Sequence, residues 1–105
     1  MNVLFDGCVP RPLRRFLAGH TVQTAPELGW GALQNGDLLR VAEGPFDLLL
    51  TADQNLRYQQ NLKGRHIAIL VLPTNDWAVL RNHTARIAAA VDAMTPGSFR
   101  ELDLT

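Results

Sequence analysis

The sequence contains a single cysteine, Cys8, so no disulfide can form within the chain. A chain without disulfides depends on a hydrophobic core, and 47% of its 105 residues are apolar, which suits one domain over residues 1–105. A lone thiol is typical of a reducing compartment, so we expect a cytoplasmic protein. No stretch approaches the roughly 18 apolar residues of a membrane span, and no secretion signal is evident, so we expect no membrane association.

The sequence also lacks an excess of charge of either sign. Ten basic and ten acidic residues give a formal net charge of zero. This balance excludes a basic coat for nucleic acid over the whole surface, but it allows a local basic patch. Glycine-rich phosphate-binding motifs are missing too, so we expect no nucleotide cofactor.

Short apolar runs recur along the chain, and helical patterns separate them. The runs predict strands at residues 2–6, 20–24, 46–51, 66–73 and 98–104. The intervals predict helices from Pro12 toward Gly19, from an Asn35 cap toward Gly44, over residues 54–62, and from an Asp76 cap to Met94. Such alternation produces parallel strands joined by right-handed crossovers. We therefore predict an α/β fold with a central, mostly parallel sheet of about five strands between two helical layers.

The last helical pattern carries an apolar stripe at spacings of three and four residues. The stripe includes Trp77, Leu80, Ile87, Val91 and Met94. We expect this stripe to face the core, and part of it would supply the contact surface of a homodimer.

Two apolar runs end on an acid. The stretch "NVLFDG" ends on Asp6, and "FDLLLTADQNL" leads through Thr51 to Asp53. Ligands of a parallel sheet bind beyond the carboxyl ends of its strands, and neighbouring strands lie about 4.8 Å apart. Asp37, in the first turn of a predicted helix, could reach the same edge. Converging carboxylates repel each other unless a proton or a hard cation such as Mg²⁺ or Mn²⁺ neutralises them.

Three stretches of the chain together resemble the signature regions of PIN-like nuclease domains. These stretches are "VLFDGCVPRPLRRFLAGHTV", "GALQNGDLLRVAE" and "DLLLTADQNL", and the resemblance covers about residues 2–72. They are most similar to a small stand-alone bacterial subgroup. The resemblance implies a three-layer PIN-like α/β/α fold and metal-dependent hydrolysis of phosphodiesters in RNA. It also implies the toxin of a toxin–antitoxin pair, with a small antitoxin protein as partner.

The resemblance also assigns roles to individual residues. Asp6, Asp37 and Asp53 match the acids that hold Mg²⁺ or Mn²⁺ and orient the attacking water. Thr51 is the customary neighbour of the third acid, and Asn55 lies where further metal or water contacts arise. We therefore predict Asp6, Asp37 and Asp53 as catalytic and metal-binding residues, with Thr51 and Asn55 in support.

One position departs from the pattern of the subgroup. An acid usually follows the first aspartate, whereas this chain has Gly7. The loss of one carboxylate favours an alternative function, a non-catalytic PIN-like module that binds RNA or a protein. A phosphatase or phosphotransferase is a third interpretation, because the doubly wound sheet hosts many chemistries, but no local motif around an aspartate nucleophile supports it.

Plainer explanations stay open for the acids themselves. Asp6 could simply end a strand and cap the following turn. Asp37 is favoured in a first helical turn by the helix dipole alone. Asp47 begins a strand and so belongs to the opposite edge of the sheet.

Basic residues follow two of the acids. Arg11, Arg14 and Arg15 come after Asp6, whereas Arg57, Lys63 and Arg65 come after Asp53. We predict that Arg11, Arg14, Arg15 and Arg57 contact the phosphates of RNA, although a solvated helix face explains the same pattern.

Cys8 is expected to be a packed thiol, and Trp30 either closes a loop against the core or stacks on a base.

Overall fold

The computed structural model describes residues 1–56 and 65–104. Its centre is a five-stranded sheet in the order β2-β1-β3-β4-β5, and every neighbouring pair is parallel. The strands are β1 (Asn2–Phe5), β2 (Thr21–Thr24), β3 (Leu48–Thr51), β4 (Ala68–Val71) and β5 (Phe99–Glu101). The predicted α/β fold with a parallel sheet is thus confirmed, and the strands lie within the predicted runs.

The sheet separates two hydrophobic clusters. Alternate residues of β1 point to opposite faces, so Val3 and Phe5 belong to one cluster and Leu4 to the other. Every residue of β3 and β4 is buried, which is typical of inner parallel strands that are covered on both faces.

Helices contribute to both clusters. The described residues form the 3₁₀ helices η1 (Arg11–Phe16) and η2 (Pro26–Leu28) and the α-helices α1 (Asn35–Ala42), α2 (Trp77–Leu80) and α3 (Thr84–Ala93). Residues of η1, α2 and α3 pack in the cluster of Val3, whereas residues of α1 pack in the cluster of Leu4. This division is compatible with the predicted three layers.

The helix predicted between Asp76 and Met94 is divided in two, so the prediction of one continuous helix is wrong. The side-chain amide of Asn82 donates to the carbonyl of Ala78 at 3.2 Å, the acceptor that the N–H of Asn82 would use in a continuous helix. That N–H donates instead to Val79, and α3 begins only at Thr84. The apolar stripe nevertheless continues across the break, since Leu80, Ile87 and Val91 are all buried.

Two other helices differ from their predictions. The segment after Pro10 forms the tighter 3₁₀ helix rather than an α-helix. Asn35 is the first residue of α1 rather than its cap, and Gln34 occupies the cap position without a side-chain hydrogen bond. Asp76, by contrast, caps α2 as predicted, because its carboxylate accepts from the N–H of Ala78 at 2.9 Å.

Most of the helix predicted over residues 54–62 lies outside the described residues, as do Arg57 and Lys63. Across the described ranges, no helix has the length and apolar character needed to cross a membrane.

Candidate functional site

The candidate site lies where the strand order reverses. β1 has β2 on one side and β3 on the other, so the connections that follow β1 and β2 run in opposite directions across the sheet. In a sheet with the order 2-1-3-4-5, the ligand crevice opens between the carboxyl ends of the first and third strands. Asp6 follows β1 directly, and its N–H donates to the carbonyl of Leu50 in β3 at 2.9 Å. The first predicted acid therefore stands at the switch point.

Thr51 connects Asp6 with Asp53. Its side chain is fully buried at the end of β3. The hydroxyl donates to Oδ2 of Asp6 at 2.8 Å and accepts from the N–H of Asp53 at 3.1 Å. One hydroxyl thus holds the carboxylate after β1 and the backbone that carries the carboxylate after β3.

Two further donors reach the carboxylate of Asp6. The N–H of Gly7 donates to Oδ1 at 2.7 Å, and the thiol of Cys8 donates to Oδ2 at 3.6 Å. Partial burial of the sulfur raises the pKa of Cys8, and the nearby carboxylate of Asp6 adds to that increase. Cys8 therefore stays a protonated donor at neutral pH. Cys8 as a whole residue is exposed, so the prediction of a packed thiol is wrong. Its contact with Asp6 was not predicted, although its position two residues after Asp6 was a signal for it.

Asp53 begins a compact turn. Its Oδ1 accepts from the N–H of Asn55 at 2.9 Å, and its carbonyl accepts from the N–H of Leu56 at 3.3 Å. Asn55 therefore supports the site through its backbone, while a role for its side chain stays a prediction. The side-chain amide of Gln54 donates to the carbonyl of Leu72, which ties this turn to the segment after β4. No pattern in the sequence indicated this contact.

Asp37 lies apart from this network of contacts. Its side chain is 55% exposed in the first turn of α1 and pairs with Arg40 at 2.9 Å. Among residues 1–56 and 65–104, no three His, Cys, Asp or Glu side chains form a group that could hold a metal ion. The structure therefore connects Asp6 with Asp53 through Thr51 and does not bring Asp37 to them as a third ligand.

Gly7 is not required by the backbone conformation. Only Gly29 and Gly97 have positive φ among the described glycines. A Cβ on Gly7 would meet Cγ of Pro26 at 3.7 Å and its Cδ at 4.0 Å, which is ordinary van der Waals contact. A Cβ at this position is therefore tolerated.

The predicted arginines differ in their surroundings. Arg14 pairs with Glu27 at 2.9 Å, and Glu27 also accepts from the N–H of Thr24 at 2.7 Å. The N–H of Thr24 and then the guanidinium of Arg14 lower the pKa of Glu27. Arg11 and Arg15 are exposed and take part in no salt bridge within the described part of the chain. They remain available for a ligand, whereas Arg14 is occupied.

A cavity of about 290 Å³ lies at the opposite edge of the sheet. Its lining includes Met1, Asp47, His66 and Ala68, which lie at or before the beginnings of strands. Asp47 there accepts from the N–H of Asn2 at 2.7 Å, in agreement with its predicted place at that edge. The cavity is therefore separate from Asp6 and Asp53.

The side-chain atoms at the switch point that could bind a metal ion are oxygens, apart from the sulfur of Cys8. Carboxylate and hydroxyl oxygens suit hard cations such as Mg²⁺ and Mn²⁺.

Comparison of the chain with protein-family models, curated proteins and solved structures found no match. The resemblance to PIN-like nucleases therefore stays a prediction, and the function is argued from the geometry.

Proposed function

We propose that the protein is a metal-dependent ribonuclease whose site lies at the switch point between β1 and β3. The observation that supports this proposal most strongly is the buried hydroxyl of Thr51, bonded to the carboxylate of Asp6 and the backbone of Asp53. Mg²⁺ commonly uses one or two protein carboxylates and completes its shell with water and substrate phosphate. Two acids are therefore sufficient to hold such an ion.

Each residue then has a definite task. Asp6 and Asp53 would hold Mg²⁺ or Mn²⁺, which when bound lowers the pKa of a coordinated water and stabilises charge on the phosphate. Thr51 fixes the orientation of Asp6. Arg11 and Arg15, exposed on η1, would contact phosphates along the RNA backbone.

The biological setting comprises the compartment in which the protein acts and its role as a toxin. The single free thiol favours action in the cytoplasm. The toxin role, with a small antitoxin as partner, comes from the resemblance alone. Overexpression of the chain without any partner tests that role, and we expect growth arrest. Normal growth would count against the toxin role but not against nuclease chemistry.

The nuclease proposal is tested with Asp53→Asn, assayed with Mn²⁺ on a mixed RNA pool. Loss of a ligand should remove several kcal/mol of transition-state stabilisation, which slows cleavage by at least about a hundredfold. Asp47→Asn is the matched control, because it makes the same chemical change at the opposite edge of the sheet. Equal cleavage by Asp53→Asn and the wild type would exclude the assignment.

A non-catalytic binding module is the second candidate, and Gly7 is the observation that favours it. Such a protein would use the same arginines to bind RNA and would hydrolyse nothing. Titration with Mn²⁺ separates the two candidates. Metal binding that is lost in Asp53→Asn supports the nuclease, and no binding up to millimolar Mn²⁺ supports the module.

A further inference from the structure

Two aromatic rings, those of Phe16 and Trp77, meet at the surface. Phe16, the last residue of η1, is 46% exposed, which is unusual for so large an apolar side chain. Its ring centroid lies 6.1 Å from that of Trp77 in α2, with the planes 40° apart. We call Phe16 and Trp77 the aromatic patch.

The core holds the aromatic patch in place. Leu13 and Leu17, on either side of Phe16 in the chain, are buried, and so is Leu80, one turn after Trp77. Trp77 itself packs partly against the same hydrophobic cluster. The rings are therefore carried by anchored helices, and an aromatic side chain has few rotamers to lose when it binds a ligand.

Two exposed arginines lie close to the rings in the chain. Arg15 precedes Phe16 in the chain, and Arg81 lies four residues after Trp77, which places it on the same side of the helix. Both are exposed, and neither forms a salt bridge within the described ranges. Asp76 is the acid next to the patch in the chain, and its single negative charge is outnumbered by the two arginines. The surface around the rings thus favours an anion.

The two helices of the patch both follow strands that end at the edge of the sheet where Asp6 lies. η1 follows the carboxyl end of β1, and α2 follows the carboxyl end of β4. A single RNA strand held at this edge of the sheet could therefore extend toward the patch.

We propose that Phe16 and Trp77 form a stacking site for unpaired bases of single-stranded RNA, with Arg15 and Arg81 bound to the neighbouring phosphates. Bases stack on aromatic side chains regardless of sequence, and arginine supplies the charge for the backbone. Paired bases are stacked within their own duplex and cannot offer their faces, so double-stranded RNA is excluded from this site. The inference rests on the proposed function for the identity of the ligand as RNA.

Binding without cleavage tests the stacking site. Fluorescence anisotropy is measured in EDTA with a labelled RNA of about twelve nucleotides, within the usual site size, and with the same strand annealed to its complement. Phe16→Leu keeps most of the apolar area and removes the π face. We expect it to weaken single-strand binding by roughly 5- to 100-fold and to leave duplex binding unchanged.

Three controls make the result specific. Phe16→Tyr restores a π face and should restore single-strand affinity. Val79→Ala alters a side chain that is 42% exposed in the same helix as Trp77 but points away from it, and it should bind as the wild type does. In a Trp30→Phe background, single-stranded RNA should quench the fluorescence of Trp77.

The outcomes also separate this inference from the nuclease proposal. Single-strand binding that needs Phe16, in a protein that cleaves nothing with Mn²⁺, supports stacking and overturns the nuclease. Cleavage by the wild type combined with undiminished binding by Phe16→Leu overturns stacking and leaves the nuclease. If light scattering shows a dimer that Phe16→Leu dissociates while RNA affinity is unchanged, the patch binds a second copy and the inference falls.

Discussion

At the scale of single residues, the hydroxyl of Thr51 is fully committed to the site. It donates to Asp6 and accepts from Asp53 while the side chain is completely buried. Thr51→Val keeps the shape but leaves the N–H of Asp53 without this acceptor and Asp6 without this donor. We expect the free energy of unfolding in urea to fall by about 1–3 kcal/mol, together with Mn²⁺ affinity. Thr51→Ser retains the hydroxyl and should retain the Mn²⁺ affinity, with a stability loss of about 1 kcal/mol from the deleted buried methyl group. A Thr51→Val variant as stable as the wild type would contradict this interpretation.

Gly7 offers a direct test of the missing acid. Because a Cβ at Gly7 meets only ordinary contacts, Gly7→Glu should fold normally and add a carboxylate beside Asp6. We expect the affinity for Mn²⁺, measured by calorimetry, to rise roughly tenfold or more. Gly19→Glu adds the same charge at an open position before β2 and should leave the affinity unchanged. Equal increases in both variants would show a general charge effect instead of a local ligand.

The pKa of the Cys8 thiol depends in part on the negative charge of the Asp6 carboxylate. Its pKa lies above the ordinary 9.0, chiefly through partial burial and also through the negative charge of Asp6. Only the thiolate reacts with iodoacetamide, so the alkylation rate should rise with pH and reach its midpoint above pH 9.0. Asp6→Asn removes the charge and should shift the midpoint to lower pH, whereas Asp47→Asn should not. A midpoint below 9.0 in the wild type would show that burial and the charge of Asp6 do not raise the pKa of the thiol.

At the scale of elements, the strands were predictable and the helices less so. A short apolar run bounded by turn residues indicates a buried strand, and β3 and β4 lie inside their predicted runs. The division between α2 and α3 was not predictable, because the apolar stripe continues across it. The division depends on the side chain of Asn82, whose bond to Ala78 is a local competition that periodicity does not register.

The N-cap residue of α2, Asp76, had the clearest signal of any helix end in the sequence. Asp76 accepts from the N–H of Ala78, and a helix of four residues has little else to stabilise its first turn. Asp76→Ala should lower the free energy of unfolding by about 1 kcal/mol in urea denaturation, because an orphan N–H loses its acceptor. Asp76→Asn is nearly as good a cap and should cost much less. Equal losses in the two variants would attribute the effect to charge instead of capping.

At the scale of the whole molecule, strand order explains how much of the site was predictable. Two acids at the carboxyl ends of two parallel strands must share an edge of the sheet. The position of Asp6 and Asp53 at one edge could therefore be predicted once β1 and β3 were taken as neighbours. The place of Asp37 could not be predicted in the same way. The long connection from β2 to α1 has no period, so nothing in the sequence determines which way the first turn of α1 faces.

The place of β1 in the sheet also determines how the chain must assemble. β1 is the earliest strand in the sequence, yet it lies between two others: Asn2 pairs with Thr21, and Val3 pairs with Leu48. On the ribosome it emerges with both edges unpaired, and one edge stays open until β3 has been synthesised. Open strand edges invite pairing with other chains, and pairing between distant segments is slow. The strand that carries Asp6 to the site thus completes its pairing only after β3 has been synthesised, and pairing with other chains can compete during that interval.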